Sequence, residues 1–508
     1  MEKVIRKNLF TMSPTGKSEY CCNIVKVAEI KPVEGSDFLG YTNINGQSIV
    51  VRKDQVHEGD VLFYASNECQ LNLKFLSVNN LFDIDSFNCN ANATEVKGLL
   101  AKAENTMNPV EKNFYRNEAK KKVGFFSQNG RVRMIRLRKM PSYGFLFSKD
   151  EMAKFCPKVK DINIEDYINQ DFDTVDGELF VKAYVPFVAE KKYTNNNKKH
   201  RKHQKIVDRF DRMLPGEFKL HYETQPLGKN IWRLNPDDNV TITVKEHGTS
   251  AIFSNVRTKI PIKLSPFKRI WNLFVDSTGL FKRTRINDYV IGYGNVYSSR
   301  SVIKNQYINK KVTSGYYKTD IWGEYNELLK DHISQGMTVY GEIVGYISGS
   351  DTMIQKQYDY GCERGTNKFM PYRITNELPD GKKYEWNVNE VKEWTERLIK
   401  NNAELKDKIE VIQILYHGRL KDLYPYIMLD EHWNESVFEA LKNDKGHFGM
   451  ELDEPLCKNK VPREGIVLRI DNDEVAEAFK LKTDAFYSKE QKLIDKGEID
   501  TELSEGNY

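Results

Sequence analysis

Val240-Thr241-Ile242-Thr243-Val244-Lys245-Glu246-His247-Gly248-Thr249-Ser250-Ala251-Ile252-Phe253 is a β-branched run, a short polar break and a second run rich in apolar residues. Branched and apolar side chains suit a pleated, buried surface, so the pattern predicts a strand on each side of the break. Lys245 then ends the first strand, and Gly248 lets backbone or a ligand approach closely. A lysine so placed is a candidate nucleophile. It must be neutral to attack, which calls for burial or neighbouring cations to lower its pKa. Strands often end in lysine, so this stretch alone does not separate a reactive amine from a solvated one.

Three clusters downstream decide between them. Tyr340-Gly341-Glu342-Ile343-Val344-Gly345 sets a carboxylate among apolar residues and glycines. Arg463-Glu464-Gly465-Ile466-Val467-Leu468-Arg469 sets another at the head of a strand, and Phe479-Lys480-Leu481-Lys482 puts two lysines on one face of a strand. Each carboxylate alone reads as well as a salt-bridge residue. Together, buried acids and paired lysines are costly unless they meet each other or a ligand, and a nucleoside triphosphate with a divalent metal satisfies both signs. Strand-like runs alternate with helical ones through this half, which implies a mixed α/β domain. One helix is explicit: Asn387 and Glu390 have capping-box spacing, and Val391, Trp394 and Leu398 recur on one face, as packing.

In these elements and their order the chain resembles the covalent nucleotidyltransferase superfamily of polynucleotide ligases and mRNA capping enzymes. Its nucleophile motif is Lys-x-Asp-Gly or Lys-x-His-Gly, and Lys245-Glu246-His247-Gly248 is the histidine form, more typical of RNA ligases. The resemblance implies that Lys245 carries AMP and that Glu246, His247 and Gly248 belong to the nucleotide site. It implies that Glu342 contacts the ribose, Glu464 binds metal, and Lys480 and Lys482 contact the α-phosphate. Ser298-Ser299-Arg300 is similar to the element whose arginine holds the nucleotide during joining. Phe369-Met370-Pro371-Tyr372-Arg373-Ile374 resembles the aromatic-Asp-Ile element, which makes Tyr372 the candidate for stacking on the base, although Arg373 stands where the aspartate is expected. The implied activity is that of an ATP-dependent RNA ligase using Mg2+ or Mn2+, with RNA ends or a nicked duplex as substrate.

Only residues 483–508 follow Lys482, too few for the C-terminal OB domain of DNA ligases and capping enzymes. The N-terminal half instead resembles the OB-like module of type-5 RNA ligases, in Pro32-Val33-Glu34-Gly35-Ser36-Asp37, Glu58-Gly59-Asp60-Val61, Gly130 through Arg138 and Gly144-Phe145-Leu146; Tyr222-Glu223-Thr224 continues the likeness toward the lysine. From Cys21 to Leu146 short β-rich segments are expected, including Ser48–Val51 and Val61–Tyr64 about the turn His57-Glu58-Gly59-Asp60. Arg131, Arg133, Arg136 and Arg138 alternate along one expected strand and give it a basic, RNA-binding face. The polar run from Lys191 to Lys205 reads as a linker or exposed loop. The expected architecture is thus α+β: an OB-like barrel over 1–190, a basic linker over 191–205, and an adenylyltransferase domain of antiparallel sheets with flanking helices over 206–508. Departures from the resemblance include long insertions, among them the segment around Lys268-Arg269-Ile270-Trp271, which would either extend the RNA surface or decorate the fold.

The whole-chain properties set the limits. At 508 residues, 40% hydrophobic and 29% charged, the chain is expected to form more than one globular domain. No run approaches the roughly 18 apolar residues of a membrane span, and Met1-Glu2-Lys3-Val4 lacks the apolar core of a signal peptide. The expectation is a cytoplasmic protein, monomeric, with no membrane partner. Seven cysteines without CxxC or Cys/His spacing argue against a disulfide framework or a zinc site. A net charge of +5 is mild, so its distribution matters more than its sum. Two alternatives stay open: a capping guanylyltransferase, since these motifs do not tell adenine from guanine, and a catalytically silent RNA-binding protein on a ligase scaffold.

Overall fold

The computed structural model describes residues 8–89, 92–185, 210–279, 286–308, 319–378, 380–471 and 476–496, with Thr284 and Tyr317. The chain divides into two compact units, residues 1–186 with Gln225–Asn230, and residues 187–224 with 231–508. The linker expected over Lys191–Lys205 lies outside the described residues. Gln225–Asn230, expected in the catalytic half, goes with the first unit, where the Lys229 ammonium lies 2.8 Å from the Ser18 carbonyl and 2.7 Å from the Asp171 carboxylate.

In the first unit Cys22–Lys26, Val61–Ala65, Phe145–Phe147 and Asp171–Phe172 form one antiparallel sheet, and Lys31–Pro32, Leu39–Ile44 and Gln47–Arg52 another. Gly59, in the turn before Val61, takes φ 89°, where a side chain would strain the backbone. Rings fill the core: the Phe63 centroid lies 5.5, 5.3 and 5.9 Å from those of Phe10, Phe147 and Phe172. Two helices, Asn92–Asn105 and Pro109–Lys121, interrupt the stretch expected to be β-rich throughout. The second opens on Asn108, whose side chain accepts from Val110 N, with Pro109 in the first turn; these turn residues are also helix-start residues.

The run Arg131–Arg138 is not one strand with one basic face. Only Ile135–Leu137 is extended, and it turns back through Arg138 and Lys139, at φ 50° and 70°, onto Met140–Ser142. Arg131 is withdrawn from any surface: its side chain is 3% exposed and its Nη2 lies 2.8 Å from Glu68 Oε2. A guanidinium there is held by a fork of two hydrogen bonds to that carboxylate. Arg136 and Arg138 are exposed and Arg133 is half-buried.

The second unit is built on two antiparallel sheets. The strand Asn239–Lys245 lies between Gly465–Ile470 and Ile414–Arg419, with Glu477–Lys482 beyond Gly465–Ile470. Val240, Ile242 and Val244 are buried, as the β-branched run requires, and Thr241 is buried too, its hydroxyl donating to the Asp471 carboxylate at 2.5 Å. The other sheet runs Tyr289–Ser298, Thr249–Pro261, Met337–Gly345, Asn367–Glu377, Lys383–Glu385. Helices Ile321–Leu329 and Val388–Asn401 flank it, placing Ile321, Trp322, Tyr325, Val391 and Leu398 in one core with Phe253, Ile343 and Phe369. Both bonds of the Asn387/Glu390 capping box are made, and Trp394 packs against this core.

A single carboxylate ties the sheets together. Glu385, 1% exposed, accepts from Arg373 Nε at 2.9 Å on its own sheet, and from Arg469 Nη1 at 3.2 Å and Ala476 N at 3.0 Å on and beside the other. This gives Arg373 a structural place: it pairs with Glu385 within its own sheet, and its Nη2 donates across to the Ala476 carbonyl at 3.2 Å. Removing the shared acid takes the carboxylate from buried Arg373, while Arg469 keeps Asp471 at 2.8 Å, so Glu385→Ala is expected to cost about 3–5 kcal/mol. Chemical denaturation measures it, and a loss below about 1 kcal/mol would mean that the sheets are held by packing alone.

Candidate active site

Strand register places the reactive groups. Lys245 is opposite Gly465, which is in turn opposite Lys482, so the two lysines flank a glycine across three adjacent strands and share a face. Lys480, two residues back, lies opposite Val467 on that same face. Gly465 cannot be replaced without moving its neighbours: at φ 150° an added Cβ would sit 2.0 Å from the Leu481 carbonyl oxygen. The glycine therefore leaves room for Glu464, immediately before it, to turn its carboxylate into the gap between the lysines.

Glu464 is 3% exposed, with Oε1 2.9 Å from Lys245 Nζ and 3.3 Å from Lys482 Nζ. Burial pushes its carboxyl up, but Lys245 and Lys482 override that and hold it far below the usual range. Lys245 shows the converse. Burial lowers it, yet Glu464 wins and its pKa lies above the ordinary lysine value. The expectation that its surroundings depress this lysine is not met, because a carboxylate, rather than cations alone, is its nearest partner.

Glu464 Oε2 is buried and without a hydrogen bond; the closest candidate, His247 Nδ1, stands 3.5 Å away. An ionised oxygen with a free lone pair is a hard ligand for a divalent cation. Among the described residues no group of three or more His, Cys, Asp or Glu could hold a metal. The fit is therefore to a cation of the Mg2+ type, held by one carboxylate and completed by water and phosphate oxygens.

His247 is fixed by packing. Its backbone N–H donates to the Tyr360 hydroxyl at 2.6 Å, and its ring meets those of Tyr358 and Phe486 edge-on, each at 4.9 Å between centroids. Gly248 N donates to Glu342 Oε1 at 3.1 Å, and its carbonyl accepts from Gln355 Nε2 at 2.7 Å. A Cβ on Gly248 would lie 2.4 Å from the Ile343 carbonyl oxygen, so the glycine lets the nucleophile turn lie against the Glu342 strand. Tyr372 is the extra residue of a β-bulge, between Gly341 opposite Pro371 and Tyr340 opposite Arg373, and is half-buried. Arg300 follows Ser298 and Ser299, both buried.

One residue that the motifs do not flag enters the same neighbourhood. His221 has a buried Nδ1 with no partner, and burial together with the charges of Arg300, Arg373, Lys245 and Lys480 keeps its imidazole neutral. That shared field gathers Arg300 and Lys480 with Lys245. Its segment is docked by Tyr222, whose ring meets Tyr340 at 5.4 Å and the Arg373 guanidinium at 4.7 Å. The clue in the sequence was Tyr222-Glu223-Thr224, one residue on.

Glu246 does not join the cluster. Its side chain interacts with Glu454, Arg463 and Tyr360, and one of its oxygens is buried with no hydrogen-bond partner. Adjacent residues of an extended chain face opposite ways, which separates it from Lys245.

Residues 238–482 match the family model described as RNA ligase. No curated protein sequence matches the chain. Among solved structures, a lysine-to-alanine variant of the Naegleria gruberi RNA ligase with ATP and Mn is similar over 92% of this chain and 98% of that one, at 15% identity and a TM-score of 0.48. The same ligase with PPi is similar over 93% and 99%, at 13% identity and a TM-score of 0.48.

Burial raises the Glu246 carboxyl from 4.5 to about 8, so the folded protein holds this proton more tightly than the unfolded chain. The resulting stabilisation is full below pH 4.5 and is lost as pH rises toward about 8. Glu246→Gln, neutral throughout, is expected to gain stability relative to the native chain across that window. Urea denaturation over a pH series measures the difference, and parallel stability curves would contradict it.

Proposed function

Because residues 238–482 match the family model described as RNA ligase, we propose that the protein joins RNA 3′-hydroxyl and 5′-phosphate ends with ATP, through AMP carried on Lys245. The observation that carries this reading is Glu464, buried between Lys245 and Lys482 with one oxygen uncommitted. Lys245 Nζ attacks the α-phosphorus of ATP, the bond to the β-phosphate oxygen breaks, and pyrophosphate leaves. Lys245 must first lose its proton to solvent, because Glu464, held ionised, pairs with the ammonium and does not take the proton. A divalent cation on Glu464 would compete with Lys245 for the carboxylate and stabilise charge on the phosphates. Lys480 and Lys482, on the same face, are set to meet the negative charge that grows on the transferring group.

In the second step an oxygen of the RNA 5′-phosphate displaces Lys245 from AMP. In the third, the 3′-hydroxyl attacks that phosphate and AMP departs with the shared oxygen. Glu342, bonded to the nucleophile turn, serves the ribose; Tyr372, re-aimed by its bulge, serves the base; Arg300 helps hold the nucleotide. The first unit is the nucleic-acid clamp in this reading, an OB-like module sealing nicks in duplex RNA, with Arg133, Arg136 and Arg138 on phosphates and Arg131 structural.

Incubation with labelled ATP and GTP separates this reading from the guanylyltransferase alternative: the account expects acid-labile AMP on the chain and no GMP. Lys245→Ala is expected to abolish the adduct, by at least about 1,000-fold, yet to join pre-adenylylated RNA at near-native rate. Failure on pre-adenylylated RNA in a folded variant would give Lys245 a different role.

The arginines divide in the same way. Arg136→Ala with Arg138→Ala is expected to weaken RNA binding and to flatten its dependence on salt by about 0.7–0.9 in log–log slope per lost phosphate contact. Arg131→Ala should instead lower thermal stability, by leaving Glu68 buried beside an empty site. An unchanged salt slope in the double variant removes that hairpin from the RNA surface.

A further inference from the structure

The insertion between the strands Thr249–Pro261 and Tyr289–Ser298 contains a helix, Pro266–Thr278, that is turned inside out. At 100° per residue, Phe267, Ile270, Trp271 and Phe274 fall on one face with Leu273 beside it. That face looks outward: Phe267 is 86% exposed, Ile270 63%, Leu273 57%, Phe274 44% and Trp271 39%. The residues turned inward are Val275 and the polar Asn272. Asn272 clamps the chain that follows, its amide donating to the Ile286 carbonyl at 2.8 Å and accepting from Ile286 N at 2.9 Å. Trp271 Nε1 donates to the Thr284 carbonyl at 3.1 Å, which pins the ring at the edge of the apolar face. A polar residue is thus spent on anchoring the helix while its large apolar side chains face solvent, the reverse of a globular surface helix.

Charge identifies the occupant. Residues 260–290 contain Lys263, Lys268, Arg269, Lys282, Arg283 and Arg285 against Asp276 and Asp288. This one insertion therefore carries +4, against +5 for the whole chain. A helix with a broad aromatic and aliphatic face, a tryptophan at its margin, and Lys263, Lys268 and Arg269 in or just before its first turn has the chemistry of an interfacial membrane helix on anionic lipid. RNA would use the cations and could stack on the rings, but it has no use for solvent-facing Ile270 and Leu273. We infer that the Pro266–Thr278 helix is a peripheral docking element for an anionic lipid surface, lying in the headgroup plane with Phe267, Ile270 and Phe274 inserted. Among the described residues no helix is long and apolar enough to cross a membrane, and none is required here. The inference does not rest on the ligase reading.

The test is flotation of the full chain with phosphatidylcholine vesicles and with vesicles of phosphatidylcholine and phosphatidylserine. Binding is expected only to the anionic vesicles and should weaken with salt. Phe267→Ser with Phe274→Ser, both at exposed positions, should reduce binding by at least about tenfold while leaving the AMP adduct unchanged. Lys263→Ser with Lys268→Ser should weaken it by severalfold and flatten its dependence on salt. No binding to anionic vesicles, equal binding to neutral ones, or binding unaffected by the aromatic substitutions overturns the proposal. So does a native chain that self-associates through this face, or an aromatic double variant that loses RNA affinity without any vesicle binding in the native chain.

Discussion

Everything in the catalytic unit is arranged around one buried carboxylate. Glu464 is nearly inaccessible to water, and a lone ion in that position would be expensive enough to protonate. It stays ionised because Lys245 and Lys482 approach the same oxygen from two strands. The reciprocal effect falls on Lys245, whose ammonium is raised rather than lowered. Reactivity is then conditional. The amine is released only when something else takes up the carboxylate, and the free lone pair of Oε2 is where a divalent cation fits.

The backbone around this acid is correspondingly constrained. Gly465 must have no side chain, because its Cβ position is filled by the neighbouring strand, and Gly248 must have none because the Glu342 strand lies against it. The Lys245 turn is held on one side by the Tyr360 hydroxyl and on the other by Glu342. At longer range, Glu385 joins the sheet that presents Glu342 to the sheet that presents Lys245, Glu464 and Lys482. A shift of one sheet against the other would separate Glu342 from Lys245, Glu464 and Lys482, so this ion pair acts on geometry as much as on stability.

Much of the site was legible in the sequence because its residues follow strand periodicity: Lys480 and Lys482 share a face, Glu464 heads a strand, and Lys245 ends one. What escaped was set by partners distant in the chain. Arg131 matched an alternating basic pattern, but Glu68 draws it inside. The period-two reading also failed to register that Arg138 and Lys139 form a turn with positive φ, which lysine and arginine seldom signal. Glu246 lay within a motif while its side chain faced Arg463 and Glu454. His221 belongs to no pattern, and only folding brings it beside Lys245 and Arg300. The helices Asn92–Asn105 and Pro109–Lys121 fall in a stretch expected to be β-rich, and the second starts on Asn108 and Pro109, residue types that also mark turns.

The central claim is that Lys245, the partner of Glu464, is the amine that takes the nucleotide. Peptide mapping by mass spectrometry, after the full chain is incubated with ATP and Mg2+ or Mn2+, tests it directly. The account predicts AMP in acid-labile linkage on the peptide containing Lys245 and on no other. AMP on Lys480 or Lys482, or a chain that remains unmodified under these conditions, would contradict it.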